Sequence, residues 1–388
     1  DMDKTDKVVV FIEEARRMGL ELAPPDINLS EHRFTVGPSG EIRYGLGAIK
    51  GVGEAAIEGL AEERRQGGPY RDLFDLCRRV DLRKLNRRVL EALIRSGAFD
   101  PLGPNRATLA AHLPDALQLA EQHSRNDAAG QNDLFGLAKA GKAPARPARP
   151  AEVAEWDEAE RLRGEKETLG LYLTGHPIHR VAEELAAINV TPLRDLAGNG
   201  GTLRRGNGAV LIGGLVVSVR TRNANRGGRI AFVTLDDGGG RLEIRIFPEV
   251  YERYRSLIAE DAIVLAQGAL GWDEFNQTTR LNVERVMGLD EARAEFARGL
   301  ALSLDAGRLQ AGGLRRLADM LAAHRADGRC PVRAEYVGGG ARVELAFGPS
   351  WRVKPSEALL EQLREAPGVA AVRLLYDREP DPARNGSG

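Results

Sequence analysis

The residues of this chain whose types and spacing suggest chemistry are suited to binding more than to reaction. Lys50-Gly51-Val52-Gly53 lies between two helical patterns. Glycines at that spacing let backbone N–H groups at a helix start meet a phosphate, and Lys50 adds charge. The same residues also suit a plain helix–helix turn. Between Asp195 and Asp236 there is no acidic residue, whereas Arg204, Arg205, Arg220, Arg222, Arg226 and Arg229 occur there, and Phe232 follows. Such a cluster attracts a phosphate backbone, and an aromatic ring beside it can stack on a base. The competing readings are solvated loop charges and a core phenylalanine. Gln131-Asn132-Asp133-Leu134-Phe135 is a further candidate, a pair of apolar side chains beside a Gln in an otherwise polar run. Leu134 and Phe135 can fill a pocket on a partner while the Gln131 amide fixes orientation, or they can dock on their own domain.

Reactive constellations are sparse. His176 and His179 flank Pro177 with no ligand set beside them, so a capping and packing role is expected and no metal is. Cys77 and Cys330 are far apart, which argues against a disulfide framework and a Cys-based zinc site. No strand is followed by a Gly-rich loop ending in Lys-Ser/Thr, and no Lys-x-Asp-Gly of a ligase occurs. With 55 Lys plus Arg against 56 Asp plus Glu, any nucleic-acid contact must come from local patches and not from a global field. No run is long enough to span a bilayer, and Asp1-Met2-Asp3-Lys4 has no signal-peptide shape, so a soluble cytoplasmic protein is expected. The sequence opens as if in mid-domain, so a fragment is expected too.

The elements that must position these residues follow from length and periodicity. A chain of 388 residues with 43% hydrophobic content should form about two to four domains. Helices are expected over Val8–Met18, Glu54–Arg65, Tyr70–Leu76, Leu85–Ile94 and Asn105–His123, with Pro114 kinking or splitting the last. The stretch ending at Lys50 closes a short helix, so Gly51–Gly53 becomes the hairpin of a helix-hairpin-helix. Arg87, Arg88 and Arg95 read as a solvated helix face. The Ala/Pro/Arg tract after Phe135 should be a mobile tether. A helix resumes over Trp156–Tyr172, interrupted by Gly164. Strands over Ala209–Arg220, Arg229–Leu235 and Arg241–Phe247, a helix over Pro248–Ile258, and strands over Ala262–Leu270 and Thr279–Val286 follow the order of a five-stranded OB-fold barrel. Its first and last loops, the latter with Trp272 and Phe275, are where such barrels grip single strands. The end reads as a small α/β module: largely helical over Leu300–His324, strands over Val332–Tyr336 and Val343–Phe347, a helix over Pro355–Glu365 with Pro355 in its first turn, and a strand over Val369–Tyr376. The fold class is thus multidomain α+β, with a helical region, an OB barrel and an α/β module.

Several long motifs then stand in order: EARRMGLELAPPDINLS, IRYGLGAIKGVGEAAIEG, YRDLFDLCRRVD, NRRVLEALIRSGAFD, GQNDLFG, ERLRGEKETLGLYLTGHPI, and CPVRAEY with WRVKPSEALLEQLREAPGVAAVRLLY. On these the chain resembles the carboxy-terminal part of the bacterial DNA polymerase III alpha subunits, the C-family replicative polymerases. The resemblance runs from the first residues to about Asp377. It implies an end-of-fingers region with the helix-hairpin-helix over 1–128 and a linker with a clamp-binding peptide over 129–152. A helical connector over 153–198, an OB fold over 199–290 and a tau-binding-like module over 300–377 follow. Implied partners are duplex DNA at Lys50, Gly51, Val52 and Gly53, and single-stranded DNA at Arg220, Arg222, Arg226, Arg229 and Phe232. The sliding clamp at Gln131, Asp133, Leu134 and Phe135, and the tau subunit of the clamp loader, complete the set.

The family's chemistry needs palm carboxylates that hold two divalent metals. No Asp-x-Asp in a strand–turn setting occurs here, and Asp1-Met2-Asp3 does not match. The expectation is therefore a piece that positions and tethers without polymerising by itself, with no cofactor of its own and magnesium belonging to a palm elsewhere. Rival readings are a helix-hairpin-helix/OB scaffold of DNA repair and a fragment of an error-prone C-family polymerase.

Overall fold

The structure, a computed structural model, describes residues 5–128, 152–196, 209–224, 227–273, 278–338 and 341–377. It divides into two compact units, Asp1–Pro177 and Ile178–Gly388.

The first unit is helical. Helices α1 (Thr5–Arg17), α2 (Glu54–Gly67), α3 (Leu73–Arg79), α4 (Arg87–Arg95), α5 (Arg106–Ala128) and α6 (Glu158–Leu169) surround a core that includes Tyr44, Ile49, Ile57, Leu76, Leu90 and Phe99. Side-chain caps start several of them: the carboxylate of Asp72 accepts from the Asp75 amide at 2.7 Å, Asn86 from Val89 at 3.2 Å and Asp157 from Glu160 at 2.7 Å. These satisfy amides that a helix start would leave orphaned. Strands β1 (Leu22–Ala23), β2 (Thr35–Val36) and β3 (Ile42–Arg43) form a small sheet in the order β1-β3-β2.

Two expectations for this unit need correction. Pro114 does not split α5, which runs through it. Pro114 lies on the exposed side of the helix, next to buried Leu113 and Ala116, so its missing N–H costs one bond while packing of the opposite face holds the helix together. Gly164 does not interrupt α6 either. A Cβ there would stand 3.3 Å from both the Cβ and the carbonyl oxygen of Arg95, so this glycine permits close approach of α4 and α6.

The second unit begins with α7 (Ala182–Ala187). Strands β4 (Val210–Asn223), β5 (Arg229–Asp236), β6 (Arg241–Ile246), β7 (Ile263–Asp273) and β8 (Thr278–Gly288) close a barrel in the order β4-β5-β6-β8-β7, and α8 (Pro248–Tyr254) stands between β6 and β7 in sequence. This is the OB-fold order, with β6 and β8 parallel where the barrel closes. Alternation explains the packing: Ala231, Val233 and Leu235 of β5 and Leu242, Ile244 and Ile246 of β6 point into the core, and the residues between them point outward.

After α9 (Leu289–Phe296) comes the α/β module. Strands β9 (Gly299–Asp305), β10 (Val332–Gly338), β11 (Ala341–Ala346) and β12 (Val369–Leu375) form a sheet in the order β11-β10-β9-β12, with α10 (Gly313–Ala323) and α11 (Glu357–Glu365) among them in the chain. The expectation of helix from Leu300 fails over β9. Leu300, Leu302 and Leu304 are all buried at a spacing of two, which is the strand period. Pro355 also sits outside α11, one residue before the cap Ser356, whose hydroxyl accepts from the Leu359 amide at 3.3 Å. Inside this unit Arg293 of α9, 2% exposed, donates to Glu184 of α7 at 2.8 Å and 3.0 Å and to Glu357 of α11 at 2.5 Å. The Tyr376 hydroxyl donates to the same Glu184 at 2.5 Å. One guanidinium thus joins the helix before the barrel, the helix after it and the final module.

Candidate nucleic-acid interface

In the first unit the Gly51 hairpin is built from the backbone outward. The helix before it is a single tight turn, Leu46–Ala48, and closes two residues earlier than the sequence suggests, with Ile49 already extended and buried. The Lys50 amide donates to the carbonyl of Thr168 in the last turn of α6 at 2.8 Å. Gly51 has φ +86°, a region where a side chain is strained, and a Cβ on Gly51 or Gly53 would meet open space. Gly53 caps α2 in an extended conformation with no side-chain acceptor. The start of α2 therefore presents amides outward with no competing cap, as an anion contact requires. Lys50, Gly51 and Gly53 are exposed, whereas Val52 is buried and anchors the hairpin, so only its backbone can face a ligand. Glu54 in the first turn of α2 weighs against an anion there.

The scaffold beneath is a buried polar network. Glu165 of α6, 0% exposed, accepts from Arg106 at 3.0 Å, from the Thr174 hydroxyl at 2.7 Å, and from the amides of Leu173 and Thr174 at 2.7 Å and 3.0 Å. Every carboxylate lone pair in use holds α6 to α5 and to the segment after it, and α6 in turn holds Lys50. A second basic surface stands at the α3–α4 turn, where Arg83 and Lys84 join the Arg87 and Arg88 expected on a solvated helix face, and all four are exposed. Arg83 is paired with Asp81 at 3.0 Å and Arg87 with Glu91 at 2.7 Å.

In the second unit the outward residues of the barrel converge. Arg220 on β4 stands opposite Phe232 on β5, Phe232 opposite Arg245 on β6, and Arg245 opposite Asn282 on β8. Arg222 and Arg280 place their guanidinium carbons 6.0 Å and 5.6 Å from the Phe232 ring centre. Phe232 is half-buried and lies outside the barrel core. Phe247, 42% exposed, follows β6 and caps α8, with the Arg245 guanidinium 5.0 Å from its ring centre. Arg245 also donates to the Asn282 side-chain oxygen at 3.1 Å and 2.7 Å. The face thus offers cations at the spacing of neighbouring strands and two rings between them, a combination that suits a charged backbone carrying flat bases.

Of the residues picked from sequence, the structure brings Arg220, Arg222 and Phe232 together on this face. Arg229 is exposed at the start of β5, paired in register with Asn223. Arg226, Arg204, Arg205 and Phe275 lie outside the described residues, as do Gln131, Asp133, Leu134 and Phe135. Arg245, Phe247, Arg280 and Asn282 were missed. Strand alternation would have found Arg245, which shares the parity of Phe232 across the β5–β6 register, but the parallel pairing of β6 with β8 leaves no local trace in the sequence.

Nucleophilic chemistry finds no support in the cysteines. Burial pushes the Cys77 thiol up to about 12 and the Cys330 thiol up to about 11, so neither is a thiolate near neutrality. The His176 ring packs edge-on to Tyr172 at 5.9 Å. Among the described residues no group of three or more His, Cys, Asp or Glu is placed to hold a metal, and no helix is long and apolar enough to cross a membrane.

Comparison with known proteins matches these parts in turn. Residues 19–109 match a family model described as a helix-hairpin-helix motif, residues 210–287 one described as an OB-fold nucleic acid binding domain, and residues 316–368 one described as the C-terminal domain of DNA polymerase III subunit alpha. The DNA polymerase III subunit alpha of Escherichia coli K12 is 45% identical over 97% of this chain and 32% of its own length. Those of Vibrio cholerae and Pseudomonas aeruginosa are each 42% identical over 97% of this chain, covering 32% and 33% of the relative. The chain spans about a third of the length of the curated relatives it matches.

Proposed function

Because this chain belongs to the family of DNA polymerase III alpha subunits, we propose that it is the portion of such a replicative polymerase that holds DNA and tethers its partners. The observation that carries this reading is the barrel face on which Arg220, Arg222, Arg245 and Arg280 surround Phe232 and Phe247. Guanidinium groups hold phosphates without reading sequence, and the rings accept any base by stacking. That is what a polymerase needs from a contact through which template must pass. Phe247 has one guanidinium against it where Phe232 has two, and it is more exposed, so it is the first stacking platform.

The Gly51 hairpin supplies a second contact, to the backbone of duplex DNA through the amides at the start of α2. The peptide Gln131–Phe135 docks in the pocket of a sliding clamp, with Leu134 and Phe135 as anchors and Gln131 and Asp133 as orienting groups. The α/β module of β9–β12 docks on the tau subunit of the clamp loader. These assignments rest on the resemblance of GQNDLFG and of the final motifs to the family.

Single-strand binding is tested by fluorescence anisotropy with a labelled oligo-dT strand. Phe247→Ala should weaken binding by roughly five- to a hundredfold, the worth of one stacked base. Unchanged binding by that variant would remove Phe247 from the contact. For the tether, a Leu134→Ala, Phe135→Ala chain should lose binding to a bacterial sliding clamp in a titration at physiological salt. Equal binding by parent and variant would return the peptide to an ordinary linker.

A further inference from the structure

The barrel face holds a carboxylate among its arginines. Glu243 projects outward from β6, between the core residues Leu242 and Ile244. One of its oxygens accepts from Nη2 of Arg220, and the other accepts from Nη2 of Arg280 at 2.8 Å. Arg280 is at the same time one of the two guanidiniums against Phe232. A carboxylate that spends each oxygen on a different guanidinium occupies the place in which two oxygens of a phosphate would be held.

A role in stability accounts poorly for this arrangement. Arg220 is mostly exposed, so its pair with Glu243 is screened by solvent and adds little, and the more sheltered Arg280 pair lies on the outer face of the barrel and not in its core. The barrel is already closed by its ladders and filled by its apolar residues. What the carboxylate does is neutralise two cations at the centre of the surface that otherwise draws in a polyanion.

We propose, resting on the single-strand reading above, that Glu243 is a resident counter-charge that stands in for a phosphate and is displaced when a strand binds. Bound DNA then exchanges Glu243 for a phosphate and gains only the difference between the two. Affinity is held down, and each step of the strand along the face returns the arginines to a ready partner. A contact through which DNA must move profits from such a clip, because a fully unpaired arginine pair would grip each phosphate more tightly than movement allows.

The test uses the whole chain, a labelled oligo-dT strand and a series of salt concentrations. Glu243→Gln keeps the size of the side chain and removes its charge. It should bind the strand about three- to tenfold more tightly, the range that one exposed and one more sheltered surface ion pair can withhold. Its plot of log affinity against log salt should steepen by roughly 0.7 for each phosphate gained. Adding Arg220→Gln to Glu243→Gln should cancel part of the gain, and thermal melting at the parent temperature shows that both variants fold. Parent-like or weaker binding by Glu243→Gln would overturn the proposal and make Glu243 a positioning residue for the arginines. No binding of oligo-dT by the parent chain would instead sink the single-strand reading itself.

Discussion

Single side chains in this protein set how it responds to acid as well as what it binds. Asp75, buried at the start of α3, is subject to desolvation, which raises its pKa, but hydrogen bonds from the Arg71 amide and the Arg79 guanidinium outweigh that and hold it below its ordinary value. For Glu357, burial likewise opposes and the Arg293 guanidinium wins. A carboxylate whose pKa is lower in the folded state contributes stability that is present above its unfolded value, about 4, and is lost as pH falls through the folded value. Stability should therefore drop as pH is lowered from about 5 towards 3. Asp75→Asn should be less stable at pH 7 and show a shallower acid limb, read from urea midpoints at a series of pH values. A limb as steep in Asp75→Asn as in the parent would show that this carboxylate does not drive it.

At the scale of elements, the barrel depends on places where a side chain has no room. A Cβ on Gly268 in β7 would lie 2.0 Å from the carbonyl oxygen of Asn282 in β8, and that neighbour is backbone, which cannot swing aside. The register of these strands shifts between Gln267 and Gly268, so the close approach belongs to a bulge that curves the pair. Gly268→Ala should cost roughly 1–3 kcal/mol by forcing β7 and β8 apart. Chemical denaturation measures that loss, and an unchanged midpoint would mean that the bulge relaxes freely. These positions also mark how far sequence carries. Strand alternation, turn signals and one helix between β6 and β7 made the OB barrel legible, because each is a local pattern. Leu300 to Leu304 has the strand period too, but so few residues hold only two repeats of it, and the longer helical pattern of α10 follows within the same stretch. Gly164 reads as a breaker because its reason for being there, the backbone of Arg95, is far away in the chain.

On the scale of the whole molecule, each unit carries its own contact and its own buried polar lock. Glu165 and Arg106 tie α5 and α6 beneath the Gly51 hairpin. Arg293, with Glu184 and Glu357, ties the barrel's flanking helices to the final module. Breaking such a buried pair leaves an uncompensated charge, and the polar groups are satisfied so fully that the alignment they impose is their main effect. Local periodicity made the architecture legible and the long motifs carried the family resemblance, whereas the arginines and rings of the face came together only through the closure of the barrel. The central claim is that a single strand lies across the face of β4, β5, β6 and β8. The most direct measurement is photo-cross-linking of the parent chain to a strand substituted with 5-iodouracil, with the attached residue identified by mass spectrometry. The account predicts attachment at Phe247 or Phe232. Attachment confined to the α/β module or to the helical unit would contradict it.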